Sequence, residues 1–358
     1  MKRQKKASMT IQSKFKNTCV LFAFTGLLPV GSPVALAETM PTSSRTECEQ
    51  QLYVSQYSGL PGEKLADSTR HLYVTSSNAG QLPTSLDTNT LVNFTGCGDD
   101  ATALAINLRR TWDYYKNIFN RTGFDNKNTN LMAYVNTSVS TAQSDGGTRL
   151  SFSSKCSRCM KVMEMVAHEF THSVLGQTTS FYGSASEQSQ ALNESLASIF
   201  GLAVHNYWSV DNSYIYGATV ENMSNPPSTG GIDHMDFYDA SSSANAHING
   251  NGGVIAKAAF LLAEGGLHAR SQVSVNGVGR GKMERILYYT MTNNDKANTR
   301  LTSKATFLQF AEAAYLAAKE LYPTERKTHA SVYWAFKAVG INISNSDAYV
   351  QSGVSVAR

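Results

Sequence analysis

Apolar residues recur at helical spacing between Ala101 and Phe119, where Leu104, Ile106, Leu108, Trp112, Tyr115 and Ile118 predict a helix. Around it, from about 48 to 155, the chain is rich in Thr, Ser, Asn and Gly. Short extended stretches interrupt this region, among them Leu72-Tyr73-Val74 and Leu131-Met132-Ala133-Tyr134-Val135. After about 160 the pattern turns helical. Val162, Met163, Met165, Val166 and Ala167 open a largely apolar, buried helix, and Gly176 stands where its C-cap is expected. A second helix over Ala191 to Gly201 puts Leu192, Leu196, Ile199 and Phe200 on one face. A third is expected over Val254 to Ala263, ended by Gly265-Gly266, with others near 281–292, 304–320 and 325–339. A β-rich first half followed by a helical second half predicts an α+β architecture of two lobes, with no internal repeat.

The first of these helices carries His168-Glu169-Phe170-Thr171-His172, and the second carries Asn193-Glu194. Histidines at i and i+4 share one helical face, close enough to grip one cation. Glu169 between them can hold a water on that cation, and Glu194 can supply a third ligand. Two histidines and two carboxylates embedded in apolar helices are costly without partners, and a metal ion removes that cost. The set points to a zinc hydrolase. It sits where the two lobes are expected to meet, a common place for a cleft.

Composition changes the picture at the N-terminus. Residues 1–16 hold Lys2, Arg3, Lys5, Lys6, Lys14 and Lys16 and no acid; an apolar run from Cys19 to Val34 follows, then Ala35-Leu36-Ala37. This is the pattern of a secretory signal peptide, so residues 1–37 are expected to be removed and the protein secreted, extracellular or periplasmic. No other segment is apolar and long enough to span a bilayer. Only about ten residues then separate the signal from Cys48, so no long pro-region is expected. Six of the 31 basic residues leave with it and all 27 acids stay, so 25 face 27 and the net charge falls from +4 to −2. The basic isoelectric point therefore gives no argument for nucleic acid. Cys48, Cys97, Cys156 and Cys159 remain, an even number that in an exported protein predicts disulfides. A local Cys156–Cys159 bridge with Cys48–Cys97 is the favoured pairing. The expected domains are 38–176, β-rich and ending in the His168-to-His172 helix, and 177–358, helical.

In order along the chain, Val166 to His172, Ala191-Leu192-Asn193-Glu194-Ser195, His247-Ile248-Asn249 with Lys257-Ala258-Ala259, and Gly277-Val278-Gly279-Arg280 resemble motifs of the thermolysin-like neutral metallopeptidases. The matches run from about 160 to 341; the first lobe matches weakly. The resemblance implies a two-lobed α+β fold with the zinc cleft between a β-rich and a helical lobe. It implies one catalytic zinc held by His168, His172 and Glu194, with Glu169 as the general base. His247 and Tyr182 are implied as donors to the developing oxyanion. Protein or peptide substrates are implied, with cleavage on the amino side of hydrophobic residues by a monomer.

Several positions depart from the family pattern. Ser198 stands where an aspartate usually orients a zinc-bound histidine, while Asn193 is retained to orient the other. Glu221 or Asn222 replaces a substrate-binding arginine, and Thr141-Ala142-Gln143-Ser144 replaces the usual substrate-binding edge. The acidic calcium loop becomes Ser151 to Cys159 without Asp or Glu, and a calcium-binding glutamate becomes His205, leaving Glu164 without companions. Calcium takes six to eight oxygens, so the double-calcium site is expected to be missing, with the Cys156–Cys159 bridge stiffening the loop instead. Two alternatives stay open: a zinc-binding protein without catalysis, and an aminopeptidase in which Glu221 captures a free amine. His71, His268 and His329 are expected to be exposed or locally hydrogen-bonded, and His234 is a candidate for the cleft wall.

Overall fold

A parallel crossover organises the first lobe. Strand β3 (Leu72–Thr75) leads through helix α1 (Asp100–Phe119) to β5 (Leu131–Thr137), which lies parallel beside it with Leu72 opposite Leu131. The computed structural model describes residues 53–56, 64–67, 69–75, 92–93, 100–156, 159–206, 209–210, 221–240, 245–293 and 301–344. Among these, β1 (Tyr53–Gln56), β2 (Lys64–Asp67), β4 (Val92–Asn93), β6 (Ala142–Ser144) and β7 (Arg149–Ser153) complete a mixed sheet of order β4-β1-β2-β3-β5-β7-β6. Side chains alternate across it: Leu72, Val74, Leu131, Ala133 and Val135 join the main core, while Tyr73, Met132 and Tyr134 cluster on the opposite face. Strand β6 pairs only with β7 among the described residues, so it forms the sheet's edge.

The main core lies between this sheet and the helices. Helix α1 buries Leu104, Leu108 and Tyr115. Tyr115, Phe119, Phe170, Phe200 and Tyr288 then join α1 to α2 (Met163–Thr178), α3 (Glu187–Ala203) and α5 (Arg280–Thr292) through one aromatic cluster. Helices α4 (Asn245–Glu264), α6 (Phe307–Leu321) and α7 (Arg326–Ala338) fill the second lobe. Thr306 and Gln309 close a reciprocal capping box at the start of α6. The chain is α+β, an N-terminal sheet followed by a helical region, as its hydrophobic pattern predicts.

Two helix boundaries differ from the pattern. Helix α2 runs through Gly176 to Thr178. Gly176 is not a cap: a Cβ there would sit 1.9 Å from the Gly146 carbonyl oxygen, so glycine lets the β6–β7 hairpin lie on α2. Helix α4 begins at Asn245, nine residues before the expected start, and Asn249-Gly250-Asn251-Gly252-Gly253 lie inside it. Those residues read as a loop by propensity. Yet a Cβ at Gly253 would fall 2.4 Å from the Ile232 carbonyl, so close packing overrides propensity. The Cys156–Cys159 bridge is formed, in the turn between β7 and α2. Cys48 and Cys97 lie outside the described residues, as do residues 1–37.

Candidate metal centre and active-site cleft

Helices α2 and α3 are the most closely packed pair of elements among the described residues, and the site is built on their contact. Gly201 permits it: a Cβ there would lie 2.8 Å from the Glu164 carbonyl oxygen and 3.4 Å from the His168 Cβ. The close approach brings Glu194 of α3 against the two histidines of α2. His168 Nε2 and His172 Nε2 are 3.0 Å apart, and Glu194 Oε2 lies 3.4 Å from the first and 3.5 Å from the second. The ligand atoms of the three residues all fall within 4.8 Å of one another, a span that one cation can bridge. Burial works to raise the Glu194 carboxyl, but His172 and His168 outweigh it and hold it below the usual carboxylate range.

The outer nitrogens of both rings are engaged. Ser198 Oγ lies 3.2 Å from His168 Nδ1, and the Asn193 amide lies 2.9 Å from His172 Nδ1. Asn193 Oδ1 is buried without a partner. Turning that amide over gives His172 Nδ1–H an oxygen to donate to and leaves the Nε2 lone pair for a metal. Two neutral imidazoles, one carboxylate and fixed outer nitrogens suit zinc, with room for a fourth ligand.

Glu169 is buried beside this group. Burial raises its carboxyl, opposed by His168 and His172 and by a backbone hydrogen bond from Ser144. Ser144, expected only as the last residue of the substrate-binding edge, also supports the site. Its carbonyl accepts a 2.7 Å bond from the Tyr182 hydroxyl, its own hydroxyl lies 3.0 Å from Ser173 Oγ, and it accepts from the Gly146 N–H at 3.1 Å. The Tyr182 ring lies over Gly146, where a Cβ would come within 2.6 Å of it.

A cleft of about 900 Å³ is lined by the three zinc-group residues together with Ser144, Glu169, Tyr182, Asn193 and Ser198. The edge residues Thr141 to Ser144 form one wall; Met165, Leu202, Met223, Ile248 and Ala256 give it apolar surface, and Asn222 and Glu164 also line it. His247 belongs to the first turn of α4, with its side chain outside the described set. His234 is buried instead against Gly340, with its ring 5.6 Å from that of His268. His268 and His329 are buried as well, His268 within 3.1 Å of the Asp233 carbonyl and His329 within 2.8 Å of the Tyr322 carbonyl.

Residues 45–176 match the thermolysin metallopeptidase catalytic domain, and residues 184–341 match the thermolysin metallopeptidase α-helical domain. The chain belongs to this metallopeptidase family, and His168, His172 and Glu194 are its zinc-binding group. It is 30% identical over 338 residues to the thermostable neutral protease NprT of Geobacillus stearothermophilus, covering 87% of this chain and 59% of that protein. It is 31% identical over 298 residues to bacillolysin of Brevibacillus brevis, covering 77% and 53%. The chain thus spans between half and three fifths of the length of these relatives. The precursor of protealysin, a metalloproteinase from Serratia proteamaculans, shares the fold with a TM-score of 0.57 at 22% identity, over 75% of this chain and 86% of that one. No helix among the described residues is long and apolar enough to cross a membrane.

Proposed function

We propose that this protein is a secreted zinc endopeptidase. The observation that carries the reading is Glu169, a buried carboxylate beside the three-residue zinc group and oriented by the backbone of Ser144. Binding a metal needs no such residue; hydrolysis does. Zinc, when bound, supplies a Lewis acid that polarises the scissile carbonyl and lowers the pKa of a water. Glu169 takes the proton of the attacking water and passes it to the leaving nitrogen, so the amine departs neutral. His247 and Tyr182 donate hydrogen bonds to the oxygen on which negative charge develops, Tyr182 exchanging its bond to the Ser144 carbonyl for one to substrate.

The edge of β6 that is unpaired among the described residues lines the cleft and offers backbone groups to an extended peptide. Apolar surface from Met165, Leu202, Met223 and Ile248 favours cleavage on the amino side of a hydrophobic residue. Residues 1–37 are a cleaved export signal on this reading, with lobes divided near 176. The test is hydrolysis of one internal bond in matched peptides with blocked and free N-termini, before and after zinc is stripped and returned. Cleavage of the blocked peptide that vanishes and returns with zinc is expected. Cleavage confined to free N-termini makes the enzyme an aminopeptidase, and cleavage indifferent to zinc removal refutes the mechanism.

A further inference from the structure

The strand that supports Glu169 is short and lies at the edge of its sheet. Strand β6 has three residues and pairs only with β7 among the described residues, so the sheet holds it from one side. Helix α2 meets it from another. Glu169, Ser173 and Gly176 recur at i, i+4 and i+7 and therefore share one face of α2. That face meets the end of β6 and the turn after it. Ser173 Oγ lies 3.0 Å from Ser144 Oγ, and Gly176 lets the Gly146 backbone approach the helix. Ser173 is fully buried and Ser144 is 3% exposed. A buried hydroxyl is costly unless it is hydrogen-bonded, so each serine holds the other in place. Ser144 in turn bonds Glu169 through its backbone N–H and accepts the Tyr182 hydroxyl at its carbonyl.

We propose that Ser173 is a positioning residue for the reaction. Through the Ser144 hydroxyl it fixes the backbone N–H that aims the Glu169 carboxylate at the attacking water. This rests on the endopeptidase reading above and adds the contact that holds its base. Glu169 and Ser173 stand one turn apart on the same helix, so the base and the anchor of its support belong to one rigid element. Without that anchor, an edge strand of three residues carries the N–H, and catalytic geometry tolerates displacements of well under an ångström. Ser144 Oγ also accepts from the Gly146 N–H at 3.1 Å, in the turn beneath the Tyr182 ring. Removing the Ser173 hydroxyl leaves that bond in place and breaks only the link to α2. A pair of hydroxyls with a purely structural part would add to stability and leave the rate of each folded molecule untouched.

The test measures kcat per bound zinc and KM on one N-blocked fluorogenic peptide for wild type, Ser173→Ala, Ser144→Ala and the double variant. Counting rate per zinc removes any fraction of chains that fails to fold. In Ser173→Ala, kcat per zinc is expected to fall about ten- to a hundredfold, the cost of a misplaced catalytic group, with KM unchanged. The double variant should be no slower than the slower single variant, because the two hydroxyls make one contact. An unchanged kcat per zinc in Ser173→Ala overturns the proposal and leaves the peptidase standing. A loss that appears in KM alone also overturns it, since the hydroxyl then serves substrate binding. Losses that multiply in the double variant overturn it too, as does a Ser173→Ala protein that binds no zinc, whose hydroxyl then serves the fold. No cleavage by the zinc-loaded wild type overturns both this and the endopeptidase reading.

Discussion

Zinc affinity depends on the atoms behind the ligands as much as on the ligands. Ser198 Oγ and the Asn193 amide each meet an outer ring nitrogen, fixing which nitrogen faces the metal. Ser198 does with a neutral hydroxyl what family members do with a carboxylate, so the His168 imidazole gains orientation but little basicity. Ser198→Ala should therefore weaken zinc binding about 10- to 100-fold, read by competition with a chromogenic chelator; unchanged affinity would show that His168 is oriented without this hydroxyl. The ligands and Glu169 were legible in the chain because i, i+4 spacing on an apolar helix is a statement about geometry. Ser144 was legible only as part of the substrate edge; its support of Glu169 and Tyr182 was not, because it acts through its backbone, and backbone contacts leave no mark on residue type.

At the scale of elements, the same contrast separates periodicity from contact. Apolar spacing placed α1, α5, α6 and α7 to within a few residues. It misplaced the end of α2 and the start of α4, where glycines serve close approach to Gly146 and Ile232 rather than turns. The start of α2 is where the sequence departs from the family's calcium site. Glu164 is bonded directly to His205 of the turn after α3, and the Cys156–Cys159 bridge ties the chain just ahead of α2. His205 thus gives Glu164 a hydrogen-bonding partner from within the protein. Chelating calcium with zinc left in place should accordingly leave the melting temperature unchanged; a fall of several degrees would mean that a calcium site survives.

For the whole molecule, one polar contact that joins the two halves away from the cleft is Tyr114 of α1 donating to Glu284 of α5 at 3.0 Å, across 170 residues of sequence. No local pattern announces such a pair. Burial pushes the Glu284 carboxyl from its ordinary 4.5 up to about 7, against the bond from Tyr114 and the charge of Arg280. A carboxyl raised on folding keeps its proton longer in the native state, so its contribution is fully present below pH 4.5 and is lost as pH rises through about 7. The loss amounts to roughly 3 kcal/mol across that window. Glu284→Gln cannot ionise, so its melting temperature relative to wild type should rise between pH 4.5 and 7 and then level off; a difference that ignores pH would contradict this. The account as a whole turns on Glu169, and the most direct measurement combines metal content with hydrolysis of a blocked peptide by wild type and Glu169→Gln. The account predicts one zinc per chain in both proteins and a loss of kcat of about 10²- to 10⁴-fold in the variant. Equal hydrolysis by the two, with zinc bound in each, would contradict it.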